Sequence, residues 1–124
     1  MEVIKYEELK WNFLEKENVE VGFIDKLIFN NRFDVIHARI KPNERLNKHF
    51  HNRPDNGEEI FCFFKGGHFK LLSEKEEREF NTKNVLFIHF NSKEIHGVQN
   101  LSNKALEFQV WCSPPFKPGE VKVL

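Results

Sequence analysis

Short apolar runs separated by turn-forming residues recur along most of the chain. From Val21 onward these runs are rich in β-branched and aromatic residues, and Asn, Asp, Gly or Pro breaks them at roughly 8–12-residue intervals. Such spacing is typical of an antiparallel sandwich or barrel, so we expect an all-β domain. The predicted strands are Val21–Ile24, Lys26–Phe29, Phe33–Ile40, Glu59–Phe64, Gly67–Leu72, Glu77–Phe80, Val85–Phe90, Ile95–Asn100 and Leu106–Cys112.

The two ends of the chain lack this pattern. Residues 1–20 mix a few apolar side chains with many charges, which predicts either a short helix or irregular wrapping, as an extension of the same domain. Near the other end, three prolines remove backbone donors that a central strand needs. We therefore expect a barrel or sandwich over residues 21–124, with residues 113–119 lying across its outside.

The run Ile60–Phe64 is apolar on both faces of its predicted strand, whereas a strand with one wet side would alternate. If Glu59 points inward, Phe61 and Phe63 share its face and line the interior. The alternate residues must then pack against other protein. Together with several phenylalanines near the N-terminus, this predicts a homodimer whose N-terminal strands cross onto the partner's sheet.

Charge and cysteine content restrict the partners and the location. Lys and Arg number 19, and Asp and Glu also number 19, so no basic field favours nucleic acid or an anionic membrane. No apolar run approaches the roughly 20 residues of a membrane helix. Cys62 and Cys112 lack C-x-x-C spacing, and the N-terminus lacks a secretory pattern. We expect a cytoplasmic protein with no nucleic-acid or membrane partner.

Histidines and one carboxylate form the strongest chemical signal. His49 and His51 are two residues apart, so in a strand both imidazoles project to one face. His96 opens a distant strand that an antiparallel barrel can bring beside them. Glu59 precedes the apolar run, where a buried carboxylate is costly unless a cation compensates it. Three imidazoles and a carboxylate suit a divalent ion with open positions. The alternative is a set of unrelated polar residues at strand ends.

These residues resemble the two sequence motifs of the cupin family. The first motif, G-x5-H-x-H-x(3,4)-E-x6-G, is matched at four positions, and the second only at its end. The matching residues are His49, His51, Glu59 and Gly66, followed by His96 and Asn100. Asn43 replaces the opening glycine of the first motif, and seven residues separate His51 from Glu59. The second motif lacks both glycines and its proline.

The resemblance covers roughly Ile40 to Cys112 and implies a jelly-roll barrel, the double-stranded β-helix. It also implies a divalent ion (Fe, Mn, Ni or Zn) at the centre, held by the two motif histidines of the first strand together with Glu59 and His96. Because the loop before Glu59 is long, Glu58 competes as the acidic ligand. The distance to Gly66 favours Glu59. Small cupins are generally dimers, which adds to the expectation of a homodimer.

Five residues are candidates for a substrate pocket. Phe61 and Phe63 would form an apolar wall of the pocket that excludes water. His37 and Arg39 share one face of a predicted strand, and His37 either contacts substrate, moves a proton, or sits hydrogen-bonded in the core. His89 lies just before the second-motif turn.

Function is less constrained, because the cupin barrel hosts dioxygenases, decarboxylases, isomerases, epimerases and non-catalytic binding proteins. The first hypothesis is a metal-dependent enzyme of dioxygenase or isomerase type, acting on a small oxygen-bearing metabolite. The second is a non-catalytic protein that binds or senses a metal or small metabolite. The third is a metal-free, epimerase-like cupin with a histidine base.

Overall fold

Eleven antiparallel strands make up most of the chain in the computed structural model, which describes residues 3–23, 32–53, 57–85, 87–117 and 119–124. The strands are β1 (Lys10–Leu14), β2 (Val19–Phe23), β3 (Asp34–Ile40), β4 (Arg45–His51), β5 (Glu58–Lys65), β6 (His68–Ser73), β7 (Glu77–Asn81), β8 (Phe87–Phe90), β9 (His96–Asn100), β10 (Leu106–Ser113) and β11 (Val121–Val123). The predicted all-β fold is confirmed. The predicted strand Lys26–Phe29 lies outside the described residues.

Two sheets pack face to face, and strands distant in sequence alternate within each. The six-stranded sheet has the order β1-β2-β3-β10-β5-β8, and the five-stranded sheet has the order β11-β4-β9-β6-β7. Because neighbours such as β4 and β9 are far apart along the chain, residues from separate motifs meet across one pair of strands. This interleaving is the jelly-roll arrangement expected from the sequence.

Alternation along β5 divides its side chains between the core and the outside. Glu59, Phe61 and Phe63 point inward and are buried, whereas Ile60 and Phe64 are exposed. The inward phenylalanines pack against aromatic rings of both sheets, with Phe63 stacked on Phe69 at 4.3 Å and Phe61 at 4.9 Å from Phe108. The expected inward direction of Phe61 and Phe63 is therefore observed.

The N-terminal segment joins the six-stranded sheet. A single 3-10 turn at Tyr6–Glu8 is followed by β1, which pairs with β2 from Lys10↔Phe23 to Leu14↔Val19. The sequence predicted a short helix or irregular wrapping here, because the charges of residues 1–20 hide the alternation of an edge strand. Among the described residues this turn is the single helical element, and it is far too short to cross a membrane.

Gly97 lets β4 and β9 approach closely where their register shifts, between Leu46 and His49. A Cβ atom at Gly97 would lie 2.8 Å from the carbonyl oxygen of Leu46 and 3.1 Å from the amide nitrogen of Lys48. Backbone atoms cannot give way as a flexible side chain can, so any side chain here would push the strands apart. This close approach sets His49 directly opposite His96.

Candidate metal centre

Three buried histidines converge between the two sheets and could hold a metal ion. His49 and His51 lie at the end of β4, and His96 is the first residue of β9. One nitrogen from each ring lies within 4.8 Å of the others. Because side chains alternate along a strand, His49 and His51 lie on one face of β4. The pairing of β4 with β9 brings His96 beside them. We call these residues the histidine cluster.

Each ring of the histidine cluster is oriented by a bond on its outer side. His49 Nδ1 lies 2.8 Å from the carbonyl oxygen of Asn47, and His96 Nδ1 lies 2.8 Å from that of Glu94. His51 Nδ1 lies 3.0 Å from the Glu120 carboxylate. Since these oxygens accept hydrogen bonds, each Nδ1 carries a hydrogen and donates it. The Nε2 atoms are then left to take a proton or a metal, as in histidine ligands supported by outer partners.

Two of the inward nitrogens lie close to a carboxylate but make no hydrogen bond of regular geometry among the described residues. They are the buried Nε2 atoms of His51 and His96. Buried polar atoms are nearly always satisfied, and leaving one unpaired costs about 1–3 kcal/mol. An ion at the centre of the histidine cluster would satisfy both, so the donor set fits a metal.

Glu59 reaches the histidine cluster from the opposite sheet. Its Oε2 atom lies 3.1 Å from His51 Nε2 and 3.3 Å from His96 Nε2. Glu58 points away, exposed, with its carboxylate 3.6 Å from His89 Nε2. Of the two acidic alternatives, the structure therefore places Glu59 beside the histidines. It brings together all four residues predicted as metal ligands.

Burial and mutual contact set the protonation of the site. Burial, aided by the neighbouring His96, lowers the pKa of His49 to about 4, so this ring is neutral near pH 7. Burial alone would raise the pKa of Glu59, but His96 and then the other two histidines hold it below its ordinary value. Burial opposes the charge on His96 too, yet Glu59 raises its pKa overall. Protons therefore compete with a metal more at His96 than at His49.

Two further site residues come from the C-terminal segment and were missed by the sequence reasoning. Strand β11 pairs with β4, with Val121 opposite His51. This places buried Glu120 on His51 Nδ1, and the Phe116 ring 5.2 Å from the His51 ring. Phe116, which was expected to cross the outside of the domain, thus contributes to the site. The alternation Val121-Lys122-Val123 was the available signal for a last strand.

A cavity of about 570 Å³ opens beside the histidine cluster, between the sheets. We call it the central cavity. Most of its wall is apolar and comes from both sheets, while His49, His51, Glu59 and Glu120 supply polar surface. Among the predicted pocket residues, Phe61 lines this cavity. Phe63 is instead buried in the core against Phe69.

The other three pocket candidates lie elsewhere, which corrects the sequence-based expectation. His37 and Arg39 are on the outer face of β3, where His37 contacts Glu107 at 3.2 Å and Arg39 pairs with Glu20 at 2.7 Å. His89 is exposed on β8. Side chains of β3 alternate between the two faces of the sheet. Ile36 and Ala38 face the central cavity, so His37 and Arg39 face outward.

Comparison of the sequence with protein-family models and with curated proteins gave no match. Solved structures do match. The polyketide cyclase RemF from Streptomyces resistomycificus superposes with a TM-score of 0.76 at 18% identity, covering 100% of this chain and 85% of RemF. A predicted oxalate decarboxylase from Thermotoga maritima gives 0.74 at 16% identity, covering 91% and 99%. A Klebsiella pneumoniae protein with a double-stranded β-helix domain gives 0.61 at 13% identity, covering 75% of each.

The protein has the cupin fold. The resemblance drawn from the two motifs is therefore confirmed at the level of architecture. At these identities the likeness establishes the fold alone, so the chemistry of this protein has to be argued from its own residues.

Proposed function

We propose that this cupin is a divalent-metal-dependent enzyme acting on a small oxygen-bearing metabolite. The observation that carries the proposal is the inward set of Nε2 atoms, each fixed by an outer hydrogen bond, at the polar end of an open cavity. Three nitrogens and the Glu59 carboxylate would leave positions on an ion for substrate. Fe, Mn, Ni and Zn all accept such donors.

The residues around the site support catalysis by a bound ion. When bound, the ion would act as a Lewis acid toward a substrate oxygen. The histidine cluster and Glu59 would hold it, and Phe61 would exclude water from one side of the substrate. The chemistry would be of dioxygenase or isomerase type, within a fold that also includes a polyketide cyclase and a predicted oxalate decarboxylase.

A second candidate is a non-catalytic protein that binds a metal or a small metabolite. It is favoured by the carboxylates that contact the rings of the histidine cluster, which among the described residues are Glu59 and Glu120. Both are already engaged with ring nitrogens. A reaction that needs a separate general acid or base would have to use a lining residue with no described contact to the cluster, such as Asp34 or Glu17.

The first test is metal content, measured on protein purified without chelator or histidine tag. We expect about one divalent ion per chain by elemental analysis, decreasing as the pH falls from 7 to 5 because protons compete for the imidazoles. His68→Ala, at an exposed position on β6, is the control and should keep the metal. A chain that carries no metal under any reconstitution would contradict the proposal, and turnover by the loaded protein would separate enzyme from binder.

We also propose that a second copy of the chain covers the outer face of the six-stranded sheet. Among the described residues of β5, β8 and β10, four large apolar side chains are exposed on this face, and we call them the outer patch: Ile60 at 36%, Phe64 at 50%, Phe87 at 63% and Trp111 at 41%. Their strands β10, β5 and β8 are neighbours, so the residues share one surface. In a dimer with a two-fold axis, the outer patch of one chain would pack against the same patch of the other. Because the net charge is zero, the two chains would not repel each other.

Sedimentation equilibrium at micromolar concentration tests the dimer. We expect a dimer mass for the unmodified protein and a monomer mass for Trp111→Glu, because an unpaired carboxylate would be buried in the interface. Lys122→Glu introduces the same side chain at an exposed position of the five-stranded sheet and should remain dimeric. A monomer mass for the unmodified protein would rule the dimer out.

A further inference from the structure

We infer that the central cavity selects a substrate with an apolar body of aromatic size and a single oxygen-bearing head group placed at the histidine cluster. The inference rests on the proposed function for the role of the head group. It adds the chemical class of the substrate, for which the evidence is the wall, the size and the charge of the cavity.

The wall of the central cavity is apolar over most of its area. Six of its residues represent the surface that both sheets and the C-terminal segment contribute: Val21, Ala38, Leu46, Phe61, Phe108 and Phe116. Such a wall gains from an apolar ligand because water leaves both surfaces on binding. A small polar acid would leave most of this wall facing water.

The volume of about 570 Å³ fits within the range of cavities that enclose a drug-sized ligand. A two-carbon acid such as oxalate occupies only a small part of that space. A fused-ring aromatic compound fills far more of it while its head group still reaches the inward nitrogens. The cavity size therefore agrees with the wall in favouring a larger, apolar body.

The charges in the buried part of the central cavity disfavour a second anionic group there. Lys16 and Lys117 are the lysines among the described residues that line the cavity, and both are exposed, so neither supplies a buried cation. Buried Arg53 is engaged with Cys112, the carbonyl oxygen of Pro114 and the Glu120 carboxylate, and is not among the lining residues. An ion would accept one acidic head, but a second carboxylate would face apolar side chains or the Glu120 carboxylate.

Ala38 offers a way to change the cavity without changing the proposed ligands. It is a buried wall residue of β3, a strand that contributes none of the four metal-site residues. A larger side chain there would take up space needed by the substrate body. Ala105 lies in the loop before β10, outside the lining residues, and provides the matched control.

The experiment measures calorimetric binding of two probes to the metal-loaded protein. 1-Hydroxy-2-naphthoate has a fused aromatic body and one chelating head, whereas oxalate is a chelating head alone. We expect the naphthoate to bind at least 100-fold more tightly than oxalate. Ala38→Phe should weaken naphthoate binding at least 10-fold with metal content and oxalate binding unchanged, and Ala105→Phe should behave as the unmodified protein.

Oxalate binding as tightly as the naphthoate, or naphthoate binding unaffected by Ala38→Phe in a folded variant, would overturn the inference. If that variant does not fold, salicylate against 1-hydroxy-2-naphthoate on the unmodified protein decides the point, since affinity must rise with the added ring. Failure of the proposed function gives a different result. The chain would then carry no metal and still bind the naphthoate.

Discussion

Replacing His96 by alanine should abolish divalent-metal binding while leaving a folded domain. The ring supplies one of the three converging nitrogens, and its loss should weaken metal affinity by more than the roughly 10–100-fold typical of outer-partner mutations. The fold should persist because strand pairing and the phenylalanine core hold β9 between β4 and β6 without an ion. Competition with a chromophoric chelator measures the affinity, and circular dichroism measures the fold.

Thermal melts with and without chelator complete this test. His49→Ala should give the same loss of metal, since its ring lies opposite His96 in the register of β4 and β9. The unmodified protein should melt as a folded domain after the metal is removed. Unfolding on removal of the metal would make the site structural and would take away the main support for an enzyme.

Glu120→Ala should weaken metal affinity about 10–100-fold without removing any proposed ligand. The Glu120 carboxylate accepts the hydrogen of His51 Nδ1, which fixes the orientation of the ring and leaves its inward nitrogen free to bind a metal. Glu120→Gln keeps an oxygen acceptor but removes the charge, so it should lose less affinity than the alanine variant. Chelator competition gives the affinities, and the absorption spectrum of the cobalt-substituted protein reports the ligand geometry.

Glu17→Ala is the matched control for Glu120, since Glu17 also lines the central cavity but makes no described side-chain contact with the histidine cluster. It should bind metal as the unmodified protein does. A Glu120→Ala variant with unchanged affinity and an unchanged cobalt spectrum would show that the His51 ring is held by packing alone.

The sequence could predict those parts of the site that follow from short-range strand geometry. Side-chain alternation put His49 and His51 on one face, and the same parity turned Glu59, Phe61 and Phe63 inward. His96 was found because it opens a predicted strand that an antiparallel barrel can bring beside the strand of His49 and His51. These inferences required only that the residues concerned form β-strands.

Other parts depended on which strands meet, and local pattern does not contain that information. Glu120 lies 69 residues from His51 along the chain, and their contact exists because β11 adds to the edge beside β4. For β3, alternation showed that His37 and Arg39 share a face but did not say which face is inner. The apolar residues Ile36 and Ala38 on the other face of the strand indicate the inner face better, since they line the central cavity.

Glu59 belongs to the six-stranded sheet, whereas the histidine cluster belongs to the five-stranded sheet. An ion held by all four would therefore join the two sheets at the end where the central cavity lies. Its ionic radius would then help to set how far apart the sheets stand. The choice of metal and the width available to a substrate would not be independent in this protein, so exchanging one ion for another would alter the shape of the binding space as well as its reactivity.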